Sequence, residues 1–277
     1  MIACILAGFS SCSLKPEPEP LSYSTLATLN LLQDNAQFVL YLNFKTMRRT
    51  EFWQKHVSDS LLNAEKTFGS LLNTFKQSTG ASISEGLDEL FYSNSWLGEN
   101  AIVLKGLFSR AMLDTLLAND SNYSVTSGKG APVYMNNENG LYFFFKDNFT
   151  ICASNYLRQI DQMMTVTDTS NTGLLVNNKM MTAVQSTLFK ENFWMVTAEK
   201  MFIRGMLLNM IESTSGKDIS DNDSLQADST LTDSEITVAN LYRYIGSLGF
   251  SGKMDKELRL VIQGNCISEN ASKYLTE

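Results

Sequence analysis

AQFVLYLNF, at residues 36–44, and ENFWMVTAEK, at residues 191–200, give the clearest indication of the fold. Both stretches are rich in aromatic and aliphatic residues, a composition that predicts β-strands. When the two are aligned, Phe193 falls on Phe38 and Met195 on Leu40. An apolar helical pattern follows each stretch, so the two strands open two related units.

The order of elements after these strands is repeated as well. Residues 248–251 (LGFS) align with residues 90–93 (LFYS), and residues 261–264 (VIQG) align with residues 103–106 (VLKG). Both units therefore run strand, helix, strand, strand, helix, and a preserved order indicates duplication even where identities are few. We predict an α+β fold of two related halves, with antiparallel sheets and helices packed on one face.

Composition shifts along the chain predict five segments. Alternating Pro and Glu at residues 16–20 favour an extended spacer, and a polar run at residues 167–173 indicates a linker. The predicted segments are a signal peptide (1–11), a lipidated N-terminus with the spacer (12–35), a first α+β unit (36–166), a linker (167–178) and a second, shorter unit (179–277).

The N-terminal sequence predicts an export signal. Residues 1–9 are apolar or small, and they precede Ser10, Ser11 and Cys12. This arrangement resembles a bacterial lipobox, in which a short apolar segment enters the membrane and small residues precede the acceptor cysteine. The resemblance implies that Cys12 receives diacylglycerol, that cleavage occurs before it, and that the new N-terminus is acylated.

The chain resembles bacterial envelope proteins with duplicated α+β units. The resemblance rests on the stretches at residues 36–44 and 191–200 and on NAIVLKGLF at residues 100–108. The resemblance covers most of the chain after residue 35 and implies a fold but no activity. Together with the lipobox it predicts a lipid-anchored protein of the bacterial cell envelope, with the membrane as one partner. The rest of the sequence contains no run of about 18 apolar residues, so it predicts no transmembrane helix.

Charge and metal-ligand content exclude several classes of function. The net charge is −7 and the basic residues are scattered, so no nucleic-acid partner is expected. A single histidine, His56, and the lack of a Cys-x-x-Cys pair predict no zinc site. Residues 218–223 offer clustered oxygen ligands, but they lack the glycine and closing glutamate of an EF-hand loop. We therefore expect neither a metal nor a cofactor.

Most other notable side chains are expected in the core. His56 lies beside apolar residues of a helical pattern that extends to Phe75, which predicts a position at the core boundary. The tryptophans and the aromatic strand 141–145 suggest either a carbohydrate platform or core packing, and core packing is favoured because both faces of that strand are apolar. Cys152 and Cys266 are expected to be buried thiols. The sequence does not decide whether they form a disulfide with each other.

Two classes of function remain. The sequence lacks a catalytic motif, which favours a non-enzymatic envelope protein that binds another protein or a surface polymer. The alternative is an envelope hydrolase that uses carboxylates such as Asp88, Glu89 or Asp161. Converging carboxylates in a deep pocket would favour the hydrolase, and an exposed apolar surface would favour binding.

Overall fold

The structure, a computed structural model, describes residues 18–57, 66–167, 169–215, 241–267 and 272. Within these ranges lie ten β-strands: β1 (Phe38–Asn43), β2 (Leu87–Asn94), β3 (Asn100–Gly106), β4 (Tyr123–Gly128), β5 (Ala131–Asn136), β6 (Leu141–Phe145), β7 (Thr150–Ser154), β8 (Phe193–Thr197), β9 (Ile245–Met254) and β10 (Leu258–Cys266).

The same ranges contain α1 (Tyr23–Leu29), α2 (Phe44–Met47), α3 (Glu51–His56), α4 (Lys66–Thr79), α5 (Arg110–Asn119), α6 (Leu157–Thr165), α7 (Asn178–Gln185) and α8 (Lys200–Ser215). Short 3-10 turns lie at Gly173–Val176 and Leu241–Arg243. None of the described helices is long and apolar enough to cross a membrane.

All ten strands join in one antiparallel sheet, in the order β10-β9-β8-β1-β2-β3-β7-β6-β5-β4. The two strands that open the predicted units, β1 and β8, are neighbours in its interior and pair with Leu40 opposite Met195. The α+β class is confirmed. The strands of both predicted units form a single continuous sheet because their opening strands pair with each other.

Helices cover both faces of the sheet, which differs from the predicted packing on one face. On the first face, α1, α6 and α7 pack against a cluster that includes Tyr41, Phe91 and Trp194. On the second face, α2, α4 and α5 pack against a cluster that includes Leu90 and Phe143, and α8 covers the β9 region. The interior strands carry apolar side chains in both directions, so each face requires its own layer of helices.

Local sequence patterns explain several of these elements. Ser109 caps α5 by accepting a hydrogen bond from the backbone N of Met112 at 3.4 Å. Strand β6 lies between β5 and β7, with Phe143 and Phe144 buried on opposite faces. The single long helix predicted up to Phe75 is wrong at its start, because α3 ends at His56 and Val57 is extended, with φ −109° and ψ 121°. Helix α4 covers the later part of the pattern, and residues 58–65 lie outside the described residues.

The end of α1 is bonded to the segment at residues 170–172. Asn30, only 4% exposed, donates from Nδ2 to the carbonyl oxygen of Ser170 at 2.7 Å. Its Oδ1 accepts from both the backbone N and Oγ1 of Thr172 at 2.9 Å. This part of the predicted linker therefore packs onto α1, while the division of the chain at residues 167–178 stays a prediction.

Candidate functional site

A row of polar side chains crosses the first face at one end of the sheet. The strand register places Asn43 opposite Glu89 and Glu89 opposite Lys105. The Tyr41 hydroxyl donates to Glu89 Oε1 at 3.2 Å and accepts from Asn43 Nδ2 at 2.9 Å. Lys105 Nζ lies 3.8 Å from Glu89 Oε2 and 3.0 Å from Ser24 Oγ of α1. Internal partners therefore engage both charged groups of the row.

Burial dominates the electrostatics of this row. It raises the pKa of Tyr41 well above its ordinary value, and the nearby Glu89 carboxylate acts in the same direction. Burial also lowers the pKa of Lys105, although the Glu89 carboxylate opposes that shift. The Lys105 ammonium lies 5.6 Å from the centroid of the Phe91 ring, which further fixes its position.

The three carboxylates of the hydrolase alternative do not form a common site. Asp88 points to the second face, where it pairs with Lys45 at 3.1 Å and Arg48 at 2.9 Å, whereas Glu89 points to the first face. Asp161 is half-buried in α6. No hydrogen bond or ion pair in the described part of the chain joins Asp161 to either of the other two carboxylates.

Two adjoining cavities lie beside α1 and share Leu31 and Val166 in their walls. The larger, about 410 Å³, contains one carboxylate, Asp147, among its lining residues. The smaller cavity, about 310 Å³, likewise has one carboxylate, Asp34, among its lining residues. Since acid–base hydrolysis by carboxylates uses a pair, neither cavity has the side chains that this chemistry needs.

His56 is exposed at the end of α3, with its ring centroid 4.9 Å from that of Phe52. The prediction that His56 lies at the core boundary is wrong, because His56 is the last residue of α3 and its side chain is exposed to solvent. Across the described ranges, no group of three or more His, Cys, Asp or Glu side chains could hold a metal ion. The acidic run at residues 218–223 lies outside those ranges, as does Cys12.

Both described cysteines are free thiols. Cys152 is fully buried in β7 and Cys266 is half-buried in β10. Six strand spacings separate β7 from β10, so the two strands lie about 29 Å apart, too far for a disulfide between their cysteines. Burial raises the pKa of the Cys152 thiol to about 12, which leaves it protonated and unreactive at neutral pH.

The tryptophans occupy three different environments. Trp194 is 1% exposed in the core, and Trp53 is half-buried against Phe44. Trp96 is instead 62% exposed, in the turn between β2 and β3. The expectation of core packing is therefore wrong for Trp96. Its position in Ser95-Trp96-Leu97-Gly98, between two predicted strands, was the available signal for a turn.

Trp96 belongs to an apolar patch, here called the tip surface, formed by Trp96, Leu97, Tyr156 and Leu157. Their exposed fractions are 62%, 81%, 42% and 43%. Asn155 joins the two segments, since its Nδ2 donates to the Gly98 carbonyl oxygen at 2.9 Å and its Oδ1 accepts from a backbone N of β3 at 2.8 Å.

A buried glutamine holds Trp96 in its exposed position. When the Gln37 amide is oriented so that both of its polar atoms are satisfied, its side-chain oxygen accepts from Trp96 Nε1 at 3.1 Å and from the Trp96 backbone N at 3.3 Å. Gln37 itself is 8% exposed. The indole ring is thus fixed before any partner arrives, and binding would lose little side-chain entropy at this residue.

The chain enters the fold at the end of the sheet opposite the tip surface. Near its beginning α1 contacts Lys105 through Ser24, and Gln33, just after α1, donates to the Glu99 carbonyl oxygen beside the tip at 2.8 Å. Glu19 also forms an ion pair with Lys190, which precedes β8 at the same end as Lys105. The length of the strands, about 20 Å, therefore separates the entry from the tip surface.

Comparisons with known proteins add little to this description. No protein-family model and no curated protein matches the chain. Crystal form III of TP0453 matches 90% of this chain and 84% of its own, with a TM-score of 0.45 and 7% identity. Crystal form I of TP0453 matches 90% and 83%, with a TM-score of 0.42 and 10% identity. At these values the likeness assigns the chain neither to a family nor to a function.

Proposed function

We propose that this chain is a lipid-anchored protein of the bacterial cell envelope that binds a protein partner through the tip surface. The anchor is Cys12, and the folded part works without catalysis. The exposed but rigidly held Trp96 is the observation that carries the binding proposal.

Exposed apolar residues are common singly, but a cluster that contains Trp and Tyr is typical of protein interfaces. Leu97, at 81% exposure, adjoins Trp96 at the centre of the tip. Tryptophan is among the residues that contribute most to binding when a partner excludes water from them.

A protein suits this surface better than a surface polymer such as a glycan. Glycan recognition needs polar groups beside an aromatic ring to bind hydroxyls. Here the side chains of Gln37, Asn100 and Asn155 already bond within the fold, which leaves a mainly apolar surface. The hydrolase alternative has less support, because Asp88 and Glu89 point to opposite faces and both are paired with cations.

The position of the tip surface is compatible with an anchor at Cys12. Pro18, where the described chain begins, lies six positions after Cys12, and an extended spacer of six residue steps would reach about 19 Å. Because the chain enters at the opposite end of the sheet, the tether would leave the tip surface uncovered.

Binding is tested with a double variant and a matched control. Trp96→Ala/Leu97→Ser removes the two most exposed side chains of the tip surface. Phe149→Ala/Leu107→Ser removes another pair of exposed apolar side chains, 60% and 67% exposed, at the entry end. Proteins captured from envelope extracts by the wild-type chain and the control are compared with those captured by the tip variant. Each candidate is then titrated against the three purified chains.

We expect one partner that binds the wild type and the control with equal affinity and the tip variant at least tenfold more weakly. This corresponds to about 1.4 kcal/mol, a modest loss for a central tryptophan. A partner that binds all three chains equally would contradict the assignment of the tip surface.

The anchor is tested separately with Cys12→Ser in a Gram-negative host. The wild-type chain should partition with membranes and incorporate a fatty-acid analogue on its N-terminal peptide, because three acyl chains bury enough CH₂ groups for stable attachment. Cys12→Ser should lose both properties, since serine lacks the sulfur nucleophile that forms the thioether. Mass spectrometry that finds unmodified Cys12 in a chain still beginning at Met1 would refute the anchor.

A further inference from the structure

The interior of the sheet contains a local twofold relation between the two units. Strands β1 and β8 pair antiparallel with Leu40 opposite Met195, so a twofold axis between these residues brings Phe38 onto Phe193. This correspondence is the one that the sequence alignment predicts. Both phenylalanines face the second side of the sheet.

The relation extends outward through the next two strands of each unit. Tyr92 of β2 is opposite Leu40, and Phe250 of β9 is opposite Met195, so β2 corresponds to β9. Ile102 of β3 is opposite Tyr92, just as Ile262 of β10 is opposite Phe250. Strand β10 is therefore the counterpart of β3.

The two counterparts differ in one respect. On its outer side β3 pairs antiparallel with β7, where Ile102 faces Ala153. Among the described residues, β10 pairs with β9 alone and forms the edge of the sheet. No described strand pairs with the outer side of β10 in the way that β7 pairs with the outer side of β3.

Strand β10 has the composition of an interior strand. It is nine residues long, and Leu258, Leu260 and Ile262 lie on one face with exposed fractions of 37%, 63% and 49%. Arg259 is its only charged residue. Natural edge strands are usually short or protected by charges, proline or bulges, because unpaired backbone groups attract another strand. The opposite edge, β4, is six residues long and mostly Ser, Thr and Gly.

We propose that the β10 edge pairs with β10 of a second copy of this chain, antiparallel and with Leu260 opposite Leu260. In this register Leu258 of each copy faces Ile262 of the other, so all three exposed aliphatic residues gain a cross-strand partner on the same face. Arg259 faces Val261, which keeps the two arginines from lying directly opposite each other.

Charge and geometry both allow a second copy of this chain to be the partner strand. Although the whole chain carries −7, residues 245–266 contain three basic and two acidic side chains, so the local charge is +1 and repulsion between two copies is weak. The register is also self-complementary, as a twofold interface requires.

The position of Leu260 along the strands allows both copies of the dimer to be anchored to the same membrane. Leu260 faces Gly252, which faces Phe193, which faces Leu42 at the entry end of the sheet. The dimer axis therefore passes close to the level at which both chains enter. Dimerisation itself does not depend on the anchor or on the tip surface.

The test uses residues 13–277, which retain every residue that the structure describes. Sedimentation equilibrium should give twice the monomer mass for the wild type. Leu260→Lys, which sets two ammonium groups face to face, should weaken dimerisation at least tenfold. Val125→Lys, on the edge strand β4 with Val125 53% exposed, should leave it unchanged.

A second measurement locates the contact. In a Cys266→Ser background, Leu260→Cys should form a disulfide-linked dimer under mild oxidation, because opposed residues of paired strands lie within disulfide range. Val125→Cys in the same background should not. A wild type that stays monomeric up to millimolar concentration, or a dimer that survives Leu260→Lys, would overturn the proposal.

Discussion

Asn30→Ala should destabilise the protein by about 3 kcal/mol. The substitution removes three hydrogen bonds, one to the Ser170 carbonyl oxygen and two from Thr172, with lengths of 2.7–2.9 Å. Each is worth about 1 kcal/mol in a site this buried, where the abandoned groups find no water easily. The unfolding equilibrium constant should therefore rise on the order of a hundredfold.

Urea unfolding followed by tryptophan fluorescence measures this change, since Trp194 is buried and reports loss of the core. Asn119→Ala is the control, because Asn119 is exposed and its side chain bonds only to Thr115 of its own helix, so the loss should stay within about 0.5 kcal/mol. A loss from Asn30→Ala no larger than that of the control would refute the claim that Asn30 fastens residues 170–172 to α1.

Two further predictions concern the packing around this contact and in the sheet. Gly173→Ala should cost more than about 3 kcal/mol in urea unfolding, because a Cβ would lie 2.3 Å from the Asn30 carbonyl oxygen and φ is +51°. Gly140→Ala, with φ +68° and no atom within 4 Å, should cost only about 1 kcal/mol, and equal losses would contradict the clash. Burial raises the pKa of Cys152 from 9.0 to about 12, so the stability that its neutral thiol contributes is complete below pH 9 and falls by about 1.4 kcal/mol per unit above it. Cys152→Ala should lack this part of the alkaline slope, and identical slopes for the two proteins between pH 9 and 10.5 would contradict it.

The sequence predicted the framework of the sheet because its strands have strong apolar patterns. The alignment of β1 with β8, and of Leu90 with Leu248, is reproduced by the register of the structure. In the third strand the alignment is displaced by two residues, since it matched Ile262 with Leu104 whereas the structure matches it with Ile102. A shift of two leaves every side chain on the same face, so the apolar pattern alone cannot detect it.

Other features depend on contacts that no local pattern encodes. The bond from Asn30 to Ser170 spans 140 residues, and nothing in either segment marks the other as its partner. The exposure of Trp96 depends on Gln37, which lies in a different strand region. The second layer of helices follows from strands that have apolar side chains on both faces, a pattern that the sequence shows clearly at residues 141–145.

The pairing of β1 with β8 also limits the order in which the chain can fold. Phe193 follows Phe38 by about 155 residues, so β1 stays without its neighbour β8 until that stretch of chain has been synthesised. During that time an uncharged strand with apolar side chains on both faces is open to misassociation. A fragment that stops at residue 166 should therefore aggregate or pair through β1, and the longer chain should depend on chaperones until β8 emerges.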